Sequence, residues 1–127
     1  MVGIVVVSHS SDIATGIVAL AGQMAGPEVP LEGVGGAAEG GLGTDADRIE
    51  AALDAADQGD GVVVLGDLGS AILTVRSVLE DREAGDIRLV DAPLVEGSIA
   101  AAVSASAGLS IDDVVNAAEE ARVVPKF

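Results

Sequence analysis

Residues 3–10 read Gly-Ile-Val-Val-Val-Ser-His-Ser, a continuous apolar run that breaks directly into polar residues. A short apolar run of this kind is typical of a strand that is buried on both faces of a parallel sheet. A helical pattern begins a few residues later, so His9, the only histidine of the chain, lies between a strand and a helix. Open α/β sheets place their functional groups at this position, which makes His9 the first candidate site residue.

Short apolar runs alternate with amphipathic patterns along the rest of the chain, which indicates β-α-β units. Val62–Leu65 is a second continuous apolar run, whereas residues 28–32 and 87–90 include charge or proline, as edge strands do. With right-handed crossovers, this pattern predicts a flavodoxin-like three-layer α/β/α fold whose four-stranded, mainly parallel sheet has the order 2-1-3-4. The functional crevice is predicted where the winding reverses, between strands one and three.

Five helices are predicted from apolar residues at helical spacing. The stripes are Ile13, Ile17, Leu20 and Met24; Ile49, Leu53 and Ala56; Ile72, Val75 and Leu79; Ile99 and Val103; and Val114, Val115 and Ala118. Thr44, three residues before Asp47, is predicted to cap the second helix, and Ser110 with Asp113 the fifth. Gly108 is predicted to end the fourth helix, and the glycine-rich residues 33–43 to form a loop at the carboxyl edge of the sheet.

Length and composition predict one domain that spans residues 1–127, since half of the 127 residues are hydrophobic. Nucleic acid is an unfavourable partner, because the net charge is −15 and Phe127 is the only aromatic residue. No apolar stretch approaches the roughly 20 residues that span a bilayer. With neither a membrane span nor a signal-peptide pattern, we expect a cytoplasmic protein. Cysteine is absent and histidine occurs once, so neither a metal site nor a cofactor is expected.

The acidic residues are distributed from Asp12 to Glu120, and Lys126 is the only lysine. An excess of carboxylates spread in this way is typical of a halophilic surface, where molar salt screens their repulsion. An acidic docking patch for a basic partner is the alternative.

Asp67 follows the second central run in the segment Gly66-Asp67-Leu68-Gly69-Ser70, which places its carboxylate beside His9 across the crevice. A carboxylate that accepts the proton of one ring nitrogen leaves the other nitrogen unprotonated, as a phosphohistidine requires. The helix starts at residues 10–12 and 69–71 would direct backbone amides toward a phosphoryl group in the crevice. Ser10 and Gly69 are therefore predicted to line the phosphoryl pocket, and Gly69 would permit close approach of the group. The alternatives are a histidine that only satisfies a loop and an aspartate that only caps a helix.

Four segments resemble the mannose-type enzyme IIA domains of the phosphotransferase system, and within them the phosphotransfer subunits of phosphoenolpyruvate-dependent dihydroxyacetone kinase. They are residues 3–10, Gly35-Gly36 followed by Leu42-Gly43-Thr44, Asp67-Leu68-Gly69-Ser70-Ala71, and Pro93-Leu94-Val95-Glu96-Gly97. The third and fourth segments are more typical of the dihydroxyacetone kinase branch than of the sugar transporters.

The resemblance implies that the phosphocarrier HPr phosphorylates His9, which passes the group to ADP on the ADP-binding kinase subunit, while another subunit binds dihydroxyacetone. It also implies that Asp67 is the partner of His9 and that Gly36, Thr44 and Ser70 line the phosphoryl pocket. Some relatives carry further carrier-like domains after this one, so separate phosphocarrier proteins are expected to supply the group here.

The resemblance further implies a homodimer, for which the alanine-rich residues 100–107 are the predicted contact surface. Two other functions stay open. One is a mannose-type sugar-transport enzyme IIA with the same chemistry, and the other is a noncatalytic regulatory or ligand-binding module in which His9 is idle.

Overall fold

The computed structural model describes residues 1–82 and 85–127. Its strands are β1 (Gly3–Ser8), β2 (Leu31–Gly35), β3 (Val62–Gly66) and β4 (Ile87–Leu89). Its helices are α1 (Ser11–Ala25), α2 (Ala46–Ala56), α3 (Gly69–Glu80), α4 (Leu94–Ser106) and α5 (Ile111–Glu120). All strand pairings are parallel and the order is β2-β1-β3-β4, which confirms the predicted topology.

Successive residues of β1 serve two separate cores because side chains alternate across a strand. Ile4 and Val6 pack with α1, α4 and α5 on one face of the sheet. Val5 and Val7 pack with α2 and α3 on the other face. The sheet is therefore covered on both sides, as the predicted three-layer architecture requires.

The second strand lies three residues later than predicted, at Leu31–Gly35 instead of residues 28–32. Pro30 has no N–H to donate, and its carbonyl accepts the first bond from Ile4 N at 2.8 Å, so the ladder begins after it. The strand then includes two glycines because α1 passes close to it, and a Cβ on Gly35 would collide with the carbonyl oxygen of Ser10. In the sequence these glycines looked like part of a loop over residues 33–43. In the structure they belong to β2, and the loop begins at Gly36.

The helix predicted from the stripe Ile13, Ile17, Leu20 and Met24 is confirmed, but Ile17 is the only one of these four residues that is buried. The buried residues of α1 are Ala14, Ile17 and Ala21. Ile13, Leu20 and Met24 are 49%, 44% and 62% exposed. Small side chains let α1 lie close to the sheet, so burial follows the alanines and not the largest apolar residues.

The alanine-rich segment of α4 is also not the surface that was predicted. Ala101, Ala102 and Ala105 are fully buried in the core beneath α1 and α5. The close helix approach that alanines permit thus occurs within the chain. Val103, from whose spacing with Ile99 the helix was predicted, is 41% exposed.

Two helix boundaries behave as predicted and one does not. The Ser110 side chain accepts from Asp113 N and caps α5, and α4 ends before Gly108, whose φ is 78°. The cap of α2 is Asp45 rather than Thr44, since the Asp45 carboxylate accepts from Asp47 N at 3.0 Å. The adjacent carboxylate is the stronger acceptor for an amide at a helix start.

Among residues 1–82 and 85–127, no helix has both the length and the apolar character needed to cross a membrane.

Candidate active site

His9 and Asp67 meet at the carboxyl edge of the sheet because β1 and β3 are neighbours in register. Val7 pairs with Gly66, and Asp67 N donates to the Val7 carbonyl at 3.2 Å. His9 Nδ1 lies 2.9 Å from Asp67 Oδ1. The structure thus brings together two residues that are 58 positions apart in sequence.

The Asp67 carboxylate accepts four hydrogen bonds. Oδ1 accepts from His9 Nδ1 and from Leu68 N at 2.7 Å, and Oδ2 accepts from Ser8 Oγ at 2.8 Å and His9 N at 3.0 Å. Burial raises the pKa of Asp67, but the hydrogen bonds from His9, Ser8 and Leu68 outweigh it and hold the pKa below its ordinary value. The group is therefore a carboxylate at neutral pH. It does not cap α3, whose N-cap is Leu68.

The hydrogen-bond network assigns the tautomer of His9. An ionised carboxylate can only accept, so Nδ1 carries the ring proton. Nε2 is then an acceptor, and the Ser70 hydroxyl donates a hydrogen bond to it, with 2.5 Å between Nε2 and Oγ. With the His9 side chain 24% exposed, Nε2 is an unprotonated nitrogen near the surface.

The two helix starts beside His9 differ in how their amides are satisfied. At α1, Ser10 Oγ accepts from Ile13 N at 3.3 Å and Ser10 N donates to Ser8 Oγ at 3.1 Å, so both groups of Ser10 are engaged. At α3, the N-cap makes no side-chain cap hydrogen bond to the described residues. The amides of Gly69 and Ser70 lie in the first turn, where a helix supplies no carbonyl for them. These two amides are open to an anion, and no side chain of the described residues caps this end.

Thr44 reaches the site through a second threonine. Its hydroxyl lies 3.0 Å from that of Thr74, which in turn donates to the Ser70 carbonyl at 3.0 Å. Because the Thr74 hydroxyl already donates its hydrogen to the Ser70 carbonyl, the Thr44 hydroxyl is the donor in its hydrogen bond with Thr74. The predicted pocket residue Thr44 thus ties its loop to the start of α3.

Gly36 belongs to a turn held against the site by an arginine. Its φ is 86°, a left-handed conformation that favours glycine. Arg48 Nη1 donates to the carbonyls of Gly35 at 2.9 Å and Gly36 at 3.4 Å. At the far end of the same loop, Gly43 N donates to the His9 carbonyl at 2.9 Å.

Sequence reasoning missed three residues that support the pair: Ser8, Thr74 and Arg48. Ser8 is fully buried and directly precedes His9, so its position at a strand end was a usable signal. Thr74 lies four residues after Ser70 on the same helical face, which is also a readable spacing. Arg48 acts on backbone carbonyls, for which the sequence offers no pattern.

An open groove of about 690 Å³ adjoins Asp67 on the side away from β1. It lies between α3 and the segment that follows β4, and Arg76 and Asp91 are among its lining residues. Among the described residues, no group of three His, Asp or Glu side chains is placed to hold a metal ion.

The fold agrees with comparisons to known proteins. The model of the EIIA-man family, described as the PTS system fructose IIA component, matches residues 3–115, so the chain belongs to this family. Within it, the chain is 36% identical over 128 residues to the phosphoryl donor subunit DhaM of the PEP-dependent dihydroxyacetone kinase of Providencia stuartii. It is 38% identical over 106 residues to DhaM of the second such kinase of Listeria innocua. The resemblance inferred from the motifs is confirmed.

The relatives differ in length. The match covers 95% of this chain but 27% of the Providencia protein, whereas it covers 81% of this chain and 85% of the Listeria protein. A solved structure of a protein of unknown function, EF1359, superposes with a TM-score of 0.81 at 33% identity and covers 94% of both chains. The chain thus corresponds to about a quarter of the first relative and to most of the second.

Proposed function

We propose that this chain is a single phosphotransfer domain that accepts a phosphoryl group from HPr on His9. It passes the group to ADP on the ADP-binding subunit of a dihydroxyacetone kinase, in the cytoplasm. The observation that carries the proposal is the 2.9 Å bond between His9 Nδ1 and Asp67, because it leaves Nε2 unprotonated. The DhaM names of its relatives support the kinase as destination.

Acceptance of the phosphoryl group needs no proton transfer at Nε2. The Nε2 lone pair forms the bond to phosphorus while the bond between phosphorus and the donor breaks, and the electron pair leaves with the donor. The ring becomes cationic because Nδ1 keeps its proton, and the Asp67 carboxylate stabilises that cation. The Ser70 hydroxyl must turn from Nε2, after which it can donate to a phosphoryl oxygen together with the α3 amides.

Delivery of the group reverses these bonds. An oxygen of the ADP β-phosphate bonds to phosphorus, the P–N bond breaks and its electron pair returns to Nε2. The ring is neutral again with its proton still on Nδ1, so Asp67 orients the same tautomer before and after transfer. No proton has to enter or leave the site in either step.

Enzyme IIA of a mannose-type sugar transporter would use the same site with a different acceptor. The family match alone fits both destinations, but the relatives named above are dihydroxyacetone kinase subunits. A noncatalytic module would have no need of a buried Ser8 and two backbone amides that hold the carboxylate against the imidazole.

We expect the phosphorylated protein to support dihydroxyacetone phosphate formation when the two other kinase subunits and catalytic ADP are present. The assay would supply phosphoenolpyruvate, enzyme I and HPr and measure product by a coupled reduction. Omission of HPr is the control for direct transfer. If the matched kinase subunits gave no product while a mannose-type permease accepted the group, the sugar-transport alternative would replace this one.

We expect stability to rise as salt increases from ~0.1 M toward molar. The Debye length falls from about 10 Å to about 3 Å over this range, which screens repulsion among the 21 acidic residues. Thermal melts at several chloride concentrations would measure the effect. A flat or falling melting temperature would argue against a halophilic surface and for a local acidic docking patch.

A further inference from the structure

Ser70, His9 and Asp67 form a chain of two hydrogen bonds that runs from a hydroxyl to a carboxylate. Ser70 Oγ donates to His9 Nε2 at 2.5 Å, and His9 Nδ1 donates to Asp67 Oδ1 at 2.9 Å. A serine, a histidine and an aspartate in this order are the three groups of a nucleophilic triad, which is recognised by geometry and not by sequence position. The proposed phosphoryl transfer requires the hydroxyl to turn away from Nε2, so it leaves the contact between Ser70 and Nε2 without a role.

Other hydrogen bonds hold the members of this triad in place. The Asp67 carboxylate also accepts from the Ser8 hydroxyl and from two backbone amides, so its position beside the imidazole is fixed. Ser70 lies in the first turn of α3, where Thr74 Oγ1 donates to its carbonyl at 3.0 Å. Because His9 Nδ1 keeps the ring proton, Nε2 can take the proton of the hydroxyl. A serine that loses its proton in this way is a nucleophile near neutral pH.

Two backbone amides beside the serine have no carbonyl partner. Gly69 N and Ser70 N donate to no carbonyl of the described residues. The next two amides of α3, those of Ala71 and Ile72, both donate to the Leu68 carbonyl. Free amides at a helix start stabilise the negative oxygen that forms when a nucleophile attacks a carbonyl carbon. The turn that carries the serine therefore also supplies the donors of an oxyanion hole.

The open groove of about 690 Å³ reaches the same turn. Leu68 and Gly69, the two residues before Ser70, are among its lining residues, and Ile72 and Leu79 make its α3 wall apolar. The lining contains three carboxylates and one arginine, which disfavours an anionic ligand. A groove of this size and lining fits the hydrocarbon chain of a small uncharged molecule.

We propose that this site also transfers acyl groups, with Ser70 as the nucleophile toward small uncharged esters. Ser70 Oγ bonds to the ester carbonyl carbon while its proton passes to His9 Nε2, and the carbonyl oxygen becomes an anion that the α3 amides stabilise. The C–O bond of the ester then breaks, and the leaving alkoxide takes the proton from Nε2. Water attacks the acyl-serine with His9 again as the base, which releases a carboxylic acid and restores the hydroxyl. This inference is independent of the proposed function, because no phosphoryl donor takes part.

The first experiment measures hydrolysis of p-nitrophenyl butyrate by the full chain at neutral pH, without phosphoenolpyruvate. We expect Ser70→Ala, His9→Ala and Asp67→Asn each to lower the rate at least about tenfold, because each removes one member of the triad. The double variant of Ser70 and His9 should lose no more than either single variant, since the groups act as a unit. Ser77→Ala is the matched control, because Ser77 is an exposed serine about two turns further along α3.

A fluorophosphonate probe gives a second readout that does not depend on turnover. The serine oxygen bonds to phosphorus, fluoride leaves, and the adduct stays on the protein. Mass mapping should find this adduct on Ser70 in the unaltered chain and in Ser77→Ala, and should find none in His9→Ala. An imidazole that acts alone would hydrolyse the ester equally well without the serine. An unchanged rate in Ser70→Ala, or an unaltered chain without an adduct on Ser70, would therefore overturn the proposal.

Discussion

Replacing His9 with alanine is expected to abolish phosphoryl labelling completely. His9 is the only histidine of the chain, so no other imidazole can accept the group. The labelled protein should carry one phosphoryl group per chain, lost in acid and retained in base, as expected of a phosphoramidate. Incubation with phosphoenolpyruvate, enzyme I and HPr, followed by mass mapping, would measure both properties.

Three serines close to His9 make the acid-stability step essential. Ser8, Ser10 and Ser70 all bond to His9, to Asp67 or to each other, and a serine phosphate would survive acid. Ser70→Ala is the matched control, since it removes the hydroxyl nearest Nε2 and keeps the imidazole. Full labelling of the His9→Ala protein would contradict the mechanism, because the group would then be carried by another residue.

Asp67→Asn is expected to slow phosphoryl transfer by about 10- to 1000-fold, which corresponds to ~1.5 to 4 kcal/mol for one charge-assisted orienting bond. The amide lacks the charge that stabilises the cationic ring. The structure adds a second effect, because the carboxylate accepts backbone N–H bonds from His9 on one oxygen and from Leu68 on the other. An asparagine NH₂ group must face one of these donors, so the melting temperature should also fall.

Rapid-quench labelling and thermal melts would separate these two effects of Asp67→Asn. Ser8→Ala is the control, since it removes one bond to the carboxylate but keeps its charge. The pKa of Asp67 is lowered in the folded protein, so its stabilisation is present above the ordinary aspartate pKa and is lost as pH falls through the folded value. The difference in melting temperature between the unaltered protein and Asp67→Asn should therefore become smaller as the pH is lowered. Unchanged transfer by Asp67→Asn would remove Asp67 from the mechanism.

The fold was predictable wherever burial uses large apolar residues. Val62–Leu65 and the run in β1 have no other plausible position than the centre of a sheet, and the order followed from them. Prediction failed where small residues pack closely. The glycines of β2 and the alanines of α1 and α4 are buried because neighbouring backbones approach each other, and hydrophobicity patterns do not record that approach.

The candidate site was predictable to the extent that topology determines it. Strand order alone brings the ends of β1 and β3 together, and with them His9 and Asp67. The contacts between Ser70 and Nε2 and between Thr44 and Thr74 depend on side-chain rotamers and loop path, which no spacing rule supplies. The functional roles of the pocket residues remain predictions.

Val7 of β1 pairs with Gly66 of β3, so the contact between the His9 imidazole and the Asp67 carboxylate depends on the register of these two strands. A slip of one residue between β1 and β3 would move Asp67 by about 3.3 Å and turn its side chain to the other face of the sheet. Misregistered or partly folded molecules would then keep a histidine without its carboxylate. Because α1, β2 and α2 lie between these two strands in the sequence, the pair depends on a nonlocal contact, and nonlocal contacts form more slowly than local ones. Competence for phosphoryl transfer therefore reports on the maturation of the central sheet, which helix content alone does not reveal.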